Sequence, residues 1–362
     1  AARLDDRSQL DAGVFSQDAS ANSASAVGLG VSAERCYDDY ETLIRAESTR
    51  RDGVEVVAIV TPNHLHFPMA MACVQAGLHV ICEKPMTISA EEAEQLAEAV
   101  AAAGVQFVLM HNYSGYPLVQ HARDLVARGE LGAIRSVQVE YAQEWLTEPP
   151  AADNKQAAWR LDPAKAGAAG CLGDIGTHAF QLASFMTGLN LSAVSADLST
   201  MVEGRTLDDN VHALLRFAGG AKGMLWATQT APGFENALRI RVIGALASLE
   251  WAQESPNELW FSPLNAPRQR ITRRGDGVSA QVARGIRLPP GHPEGYLEAF
   301  GNLYQTLADR LRGEDAPGGD WLPNAATGLE GLRFIGAVLA SHRADGAWMP
   351  LVHDHSRIGG HQ

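Results

Sequence analysis

Between residues 10 and 110, short apolar runs alternate with helical stretches. Residues 10–15, 55–60, 80–82 and 106–110 read as strands. Between the last two lies a well-marked helix. Ser89 followed by Glu92 is a capping box, and Gly104 stands where a glycine closes a helix. Strands separated by helices of this length lie parallel, with helices covering both faces of the sheet. Such sheets bind ligands beyond the carboxyl ends of their strands. Pro62, Glu83 and His111 each fall just past one of these ends.

From about residue 118 the rhythm changes. A helix over 118–128 leads to an extended segment, 134–145, and after a helix near 175–187 come strands at roughly 193–202, 210–218, 221–230, 238–243 and 246–251. Gly219-Gly220 reads as a two-residue hairpin turn between two of them. The sequence therefore divides into an α/β domain over 1–117, an α+β domain over 118–351, and a polar, frayed tail over 352–362.

Composition removes several function classes. The formal charge is −13, from 29 Lys and Arg against 42 Asp and Glu, a balance that repels a phosphate backbone, so no nucleic acid is expected. No apolar run approaches the roughly 20 residues that span a bilayer, so no membrane is expected either. Cys36, Cys73, Cys82 and Cys171 show no paired spacing, and Cys73 and Cys82 lie in apolar runs. That pattern suits a reducing cytoplasm better than a disulfide framework or a zinc site.

Three stretches carry chemistry. In V-I-C-E-K-P (80–85) a buried strand runs straight into a carboxylate, an ammonium and a proline. Either Glu83 and Lys84 are a solvated pair at a strand end, or the chain holds a lysine where a reaction occurs. In the second stretch, Thr61 to His66, polar side chains follow a strand and can meet a cofactor, or Asn63-His64 simply turns and His66 caps a helix. The pair His64 and His66 is no metal site, because no third ligand has suitable spacing. In the third, Asp174 and His178 are four apart and share a face on a helix. A histidine titrates near pH 7 and a carboxylate can orient its ring. The plainer reading makes Asp174 an N-cap and His178 a core residue.

V-A-I-V-T-P-N-H-L-H (57–66), A-G-L-H-V-I-C-E-K-P (76–85) and G-D-I-G-T-H (173–178), in that order and spacing, resemble the Gfo/Idh/MocA family of NAD(P)-dependent oxidoreductases. The resemblance runs from about residue 9 to 350. It implies an α/β N-terminal Rossmann-type domain followed by an α+β C-terminal domain with a large, mostly antiparallel sheet. The dinucleotide fingerprint is not found. Gly28-Leu29-Gly30 with Ala33 follows a helical pattern, not a strand, so the first strand and glycine loop are expected to be missing from this chain, which would start inside the first helix at 1–4.

By resemblance, Thr61, Pro62, Asn63 and His66 line the cofactor, Glu83 meets the nicotinamide ribose, and Pro85 fixes the backbone. Lys84 meets the substrate hydroxyl, Asp174 binds a sugar hydroxyl, and His178 is the general base or acid, so Lys84, Asp174 and His178 form the catalytic set. A lysine's ordinary pKa of about 10.4 would have to fall for Lys84 to exchange protons near neutrality; otherwise it is a fixed donor. Asn112 faces the nicotinamide end. Tyr113, Trp159 and Arg160 are candidates for substrate contact, with Gln143, Trp145 and the segment His292 to Tyr296 as further walls. Relatives often carry an arginine where Ser114-Gly115 stands. His353, Asp354 and His355 read as solvated tail. Ser16 occupies the position of the ribose-binding acid, so NAD or NADP is expected, with a lean to NAD.

The leading expectation is hydride transfer between a sugar, inositol or related polyol carbinol and nicotinamide. Two alternatives stand beside it: a redox-neutral, NAD-dependent glycoside hydrolase of the same family, and a non-catalytic nucleotide-binding sensor. The large sheet can pair with another copy through its outer face, which predicts a homodimer or homotetramer.

Overall fold

The computed structural model describes residues 1–151, 153–273, 277–314 and 321–351. Strands β1 (Val56–Ile59), β2 (His79–Cys82) and β3 (Phe107–Leu109) form a parallel sheet in that order, with Val57 opposite Val80 and Ile81 opposite Val108. Val80, Ile81 and Cys82 are all buried, as a strand covered on both faces requires. The crossovers are the helices His66–Gln75 and Ala90–Ala103. The second starts on Ser89, whose hydroxyl accepts from the Glu92 N–H, and ends on Gly104 at φ 65°.

Residues 10–15 do not form the expected strand. They make a single bridge, Gly13 with Cys36, through hydrogen bonds from Gly13 N–H to the Arg35 carbonyl and from Tyr37 N–H to the Gly13 carbonyl. The ladder stops because the N–H groups of Phe15 and Ser16 both donate to Asn22 Oδ1, at 2.7 and 3.3 Å. Residues 1–4 form a turn, with Leu4 N–H on the Ala1 carbonyl, and not the expected helix.

The second sheet has nine strands: β4 (Ile134–Ala142), β5 (Leu191–Ser199), β6 (Asn210–Phe217), β7 (Lys222–Thr228), β8 (Ala237–Gly244), β9 (Ala247–Ala252), β10 (Glu258–Pro263), β11 (Gln269–Thr272) and β12 (Met349–Pro350). Their order is β11-β10-β9-β8-β4-β7-β6-β5-β12, and every pair is antiparallel except β4 with β7. Burial alternates along the strands: Val137, Val139 and Tyr141 of β4 point inward, as do Val211, Ala213, Leu215 and Phe217 of β6. The β6–β7 turn holds three residues, Ala218–Gly220, and not the expected two; Gly219 and Gly220 take φ of 82° and 95°, and Phe217 N–H closes on the Ala221 carbonyl.

Helix Thr177–Thr187 packs on the inner face of this sheet, with Phe180 stacked at 4.2 Å on Phe334 of helix Ala325–Arg343. The C-terminal helices also return to the first sheet. Ile81, Val108 and Met110 pack with Leu303, Leu307, Trp321 and Leu322, and Leu109 N–H donates to the Pro323 carbonyl at 2.9 Å. The two sheets thus share a core, and the loops after β1, β2 and β3 face the second unit. The tail 352–362, with His353, Asp354 and His355, lies outside the described residues.

Candidate active site

Because β1, β2 and β3 are parallel neighbours, the loops at their carboxyl ends meet. His66 ties two of them together: its Nδ1 lies 2.8 Å from the Pro85 carbonyl oxygen and its Nε2 2.8 Å from that of Thr61. The ring is fully buried, and burial lowers its pKa. Both ring nitrogens thus lie against backbone carbonyls; the neutral ring carries one N–H and donates it to one of the two, which ties the loops together. Asn63 donates its amide to the Ala166 carbonyl at 2.9 Å, linking the β1 loop to the second unit. Thr61 and Pro62 stay half-buried at the mouth between them. Ser16 is half-buried, and its hydroxyl accepts from Asp18 N–H at 3.1 Å.

Lys84, next after Glu83, reaches across to the second unit. Its ammonium donates to Asp174 Oδ1 at 2.8 Å and to the Asp174 carbonyl at 2.6 Å. Asp174 is not an N-cap. It lies inside a continuous helical run, in a wide π-type turn, Leu172–Gly176, that leads directly into Thr177–Thr187. The run begins where the Asp208 carboxylate accepts from the N–H groups of Gly170 and Leu172. The other Asp174 oxygen, Oδ2, accepts from Gln229 Nε2 at 2.9 Å and faces Arg160 Nε at 3.4 Å. Burial alone would raise the Asp174 pKa; the cations of Lys84 and Arg160 bring it instead to about 2. Gln229, just past the end of β7, has no sequence signal that marks it.

One helical turn on, His178 is buried with its Nδ1 3.3 Å from Nδ1 of His111. Burial, then Lys84, then His111 hold its pKa well below the ordinary histidine value, so the ring is neutral near pH 7. Tyr113 meets His178 edge to face at 4.9 Å. The Tyr113 hydroxyl is hydrogen-bonded to that of Tyr141, which donates to Asn236 Oδ1 at 2.7 Å. Tyr113 is thus a wall for His178 with its hydroxyl already engaged, a narrower part than the expected open substrate contact. Tyr141 and Asn236 were not marked by any motif.

Arg160 lies over the rings of Trp159 and Trp145, at 4.3 and 5.9 Å, while Trp145 donates to Gln143 Oε1 at 2.9 Å. These aromatic and amide groups form one rim beside Asp174. Of the segment His292 to Tyr296, Glu294 is taken up by Arg273, whereas Tyr296 stays exposed. At Gly115 there is no room for a side chain. A Cβ at this position would lie 2.2 Å from the Ala299 carbonyl oxygen.

Two polar groups at the strand ends have bonding capacity to spare among the described residues. Asn112 is buried, and its amide nitrogen has no partner among them. Glu83 is half-buried, burial raises its pKa, and its only hydrogen bond among the described residues comes from the N–H of Lys84. An amide donor and a carboxylate oxygen left over beside the site fit a ligand that carries hydroxyls and an amide, as a nicotinamide riboside does. Among the described residues there is no cluster suited to a metal ion and no helix long and apolar enough to cross a membrane.

Residues 3–111 match the profile of an oxidoreductase family with an NAD-binding Rossmann fold, and 119–250 that of the GFO/IDH/MocA C-terminal domain. The oxidoreductase YfiI of Bacillus subtilis is 32% identical over 349 residues, 94% of this chain and 89% of the relative. The chain belongs to the Gfo/Idh/MocA family. Its N-terminal unit is accordingly the family's NAD(P)-binding domain. Two members of the family bear on chemistry. A structure of an inositol dehydrogenase homolog from Azotobacter vinelandii, complexed with NAD+, is 36% identical with a TM-score of 0.90, covering 94% of this chain and 90% of that one. Levoglucosan dehydrogenase of Pseudarthrobacter phenanthrenivorans is 32% identical over 265 residues, 67% of this chain and 64% of that enzyme.

Proposed function

We propose that the protein is an NAD(P)-dependent dehydrogenase of a sugar, inositol or related polyol. The observation that carries this reading is the convergence of Lys84, Asp174 and His178 beyond the carboxyl end of β2, an ammonium bonded to one carboxylate and acting on a neutral imidazole one helical turn on. NAD or NADP, when bound, supplies the hydride acceptor. Glu83 and Asn112 hold its ribose and amide, with Pro62 and Pro85 shaping the loops that flank it. Ser16 carries no charge to repel a 2′-phosphate, so either cofactor is accommodated, with a lean to NAD.

His178 accepts the hydroxyl proton, which a buried neutral imidazole can do and an imidazolium cannot. Lys84 donates to the same oxygen and stabilises the charge that builds there as the proton leaves. Asp174 holds the ammonium in place, while Arg160, Gln229 and the Trp145–Trp159 rim give hydroxyls and ring faces their orientation. The kinship with an inositol dehydrogenase homolog and a levoglucosan dehydrogenase supports the polyol class.

The test is a screen of free sugars and inositols with NAD and NADP, following formation of the reduced cofactor. Polyol-dependent reduction is expected, with Lys84→Ala lowering kcat/KM by about 100-fold or more. Unchanged activity in that variant would remove Lys84 from the site. Glycoside cleavage without net cofactor reduction would favour the hydrolase instead. The open face of the large sheet, with Leu214 and Met224 exposed, also supports self-association as a dimer or tetramer.

A further inference from the structure

We propose that His111 is a positioning residue that sets the tautomer of His178: His178 donates its Nδ1–H to His111 Nδ1, leaving the lone pair of His178 Nε2 toward the cleft. This deepens the proposed reading of His178 as proton acceptor and rests on it. The two Nδ1 atoms lie 3.3 Å apart, and the rings meet edge to face with centroids 5.2 Å apart and planes at 84°. Two imidazoles so placed bond only when one nitrogen carries a proton and the other does not. Burial, reinforced by Lys84, brings the His111 pKa to about 3 and holds that of His178 well below its ordinary value. Each ring therefore carries one proton near neutrality, and the pair must choose between two arrangements.

The part His178 plays makes the choice. Around it stand Lys84 from the turn after β2, Asp174 one helical turn before it, His111 and Tyr113 from the loop after β3, and Tyr141 from β4. The Asp174 carboxylate is already paired with Lys84 and Arg160 and bonded to Gln229. The phenols of Tyr113 and Tyr141 are pushed up by burial and stay neutral. The ammonium of Lys84 acts on both imidazoles and keeps both neutral. A ring that takes the hydroxyl proton on Nε2 must hold that nitrogen bare, so Nδ1 carries the proton and points at His111. No other hydrogen bond of the His178 ring is found among the described residues.

The arrangement matters when the ring takes a proton. The hydroxyl O–H bond breaks, the proton joins Nε2, and the ring becomes an imidazolium with N–H on both nitrogens. Its Nδ1–H then makes a charge-assisted bond to the neutral His111 Nδ1. The proton later leaves Nε2 for solvent and the first tautomer returns. His111 does with a lone pair what a carboxylate does beside the histidine of a catalytic triad, and adds no buried charge.

The test is nitrogen-15 NMR of histidine-labelled protein near neutral pH without substrate, with His178 assigned through His178→Gln. A protonated Nδ1 and bare Nε2 on His178 are expected. His111→Asn places a carbonyl oxygen where Nδ1 stood and should keep that pattern. His111→Phe should give a mixture of tautomers and lower kcat by about 10- to 100-fold, with KM changed less than about threefold. A protonated Nε2 in the unmodified protein, or an unchanged tautomer in His111→Phe, overturns the proposal. If His111→Phe does not fold, the spectra of the unmodified protein and His111→Asn decide. Because the spectra need no substrate, failure to turn over any polyol would defeat the functional reading and leave the tautomer decided on its own.

Discussion

The Lys84 ammonium sits 2.8 Å from Asp174 Oδ1 and 2.6 Å from the same residue's carbonyl oxygen, so one ion pair joins the turn after β2 to the wide helical turn of the second unit. The pair is largely shielded, with side chains 12% and 16% exposed. Its shielding gives it a share in stability, and the proposed function gives the same ammonium a part in the chemistry.

Asp174 should make the protein acid-sensitive in a defined window. Its pKa is depressed from 3.8 to about 2, so its contribution is complete above the unfolded value and is lost as pH falls through about 2. A shift of this size corresponds to about 2 kcal/mol. Urea unfolding at neutral pH should show Asp174→Asn less stable than the unmodified protein, with the gap closing below pH about 3. A gap independent of pH would mean that the carboxylate's charge is not what stabilises the turn.

His178 should titrate upward when its neighbouring cation is removed. Burial and Lys84 both disfavour the imidazolium. Lys84→Met deletes the second influence and keeps the first, so the His178 pKa should rise toward 6.5 without reaching it, as read by NMR titration. A fall, or no movement, would show that the ammonium does not act on this ring.

How much of this could be read beforehand depended on whether a residue's role was local. Asp174 and His178 stand four apart on one helical run and Lys84 at a strand end, each in a short motif. It is the resemblance of those motifs to a family, and not spacing, that joins Lys84 to His178 and to Asp174, 90 positions away. Gln229 bonds to a residue 55 positions away, and nothing beside it in sequence says so. The same holds for residues 10–15, where the side chain of Asn22 takes the N–H groups a strand would need. His66 was given to the cofactor loop by resemblance; that its ring lies against two backbone carbonyls depends on packing that no motif records. The helices Tyr296–Leu311 and Ala325–Arg343 return to the first sheet, a long-range crossover that chain order hides.

The place of the His66 ring between two backbone carbonyls makes its own prediction. His66→Ala leaves a cavity and frees the Thr61 and Pro85 carbonyls in a buried place, a loss of about 2–4 kcal/mol in denaturant unfolding. A residue lining the cofactor would behave otherwise: it would weaken NAD(P) binding with little change in stability. Comparing the unfolding midpoint with cofactor affinity in this one variant separates the two.

Gly115 ties the loop after β3 to helix Tyr296–Leu311. A Cβ there would meet the Ala299 carbonyl oxygen at 2.2 Å and Leu303 Cδ1 at 2.7 Å, and the Gly115 carbonyl accepts from Asn302 at 2.8 Å. All three partners belong to helix Tyr296–Leu311, so the loop bearing His111 and Tyr113 rests on it. Gly115→Ala must displace one of the two by backbone movement, at about 2–3 kcal/mol. Because His111 and Tyr113 move with the loop, kcat should fall as well. Gly28, in helix Ala19–Leu29 with open space around its Cβ position, is the control. Gly28→Ala should be neutral or stabilising by up to about 1 kcal/mol, since it improves helix propensity and touches nothing. Equal unfolding midpoints for the two variants would refute the close packing of the loop against the helix.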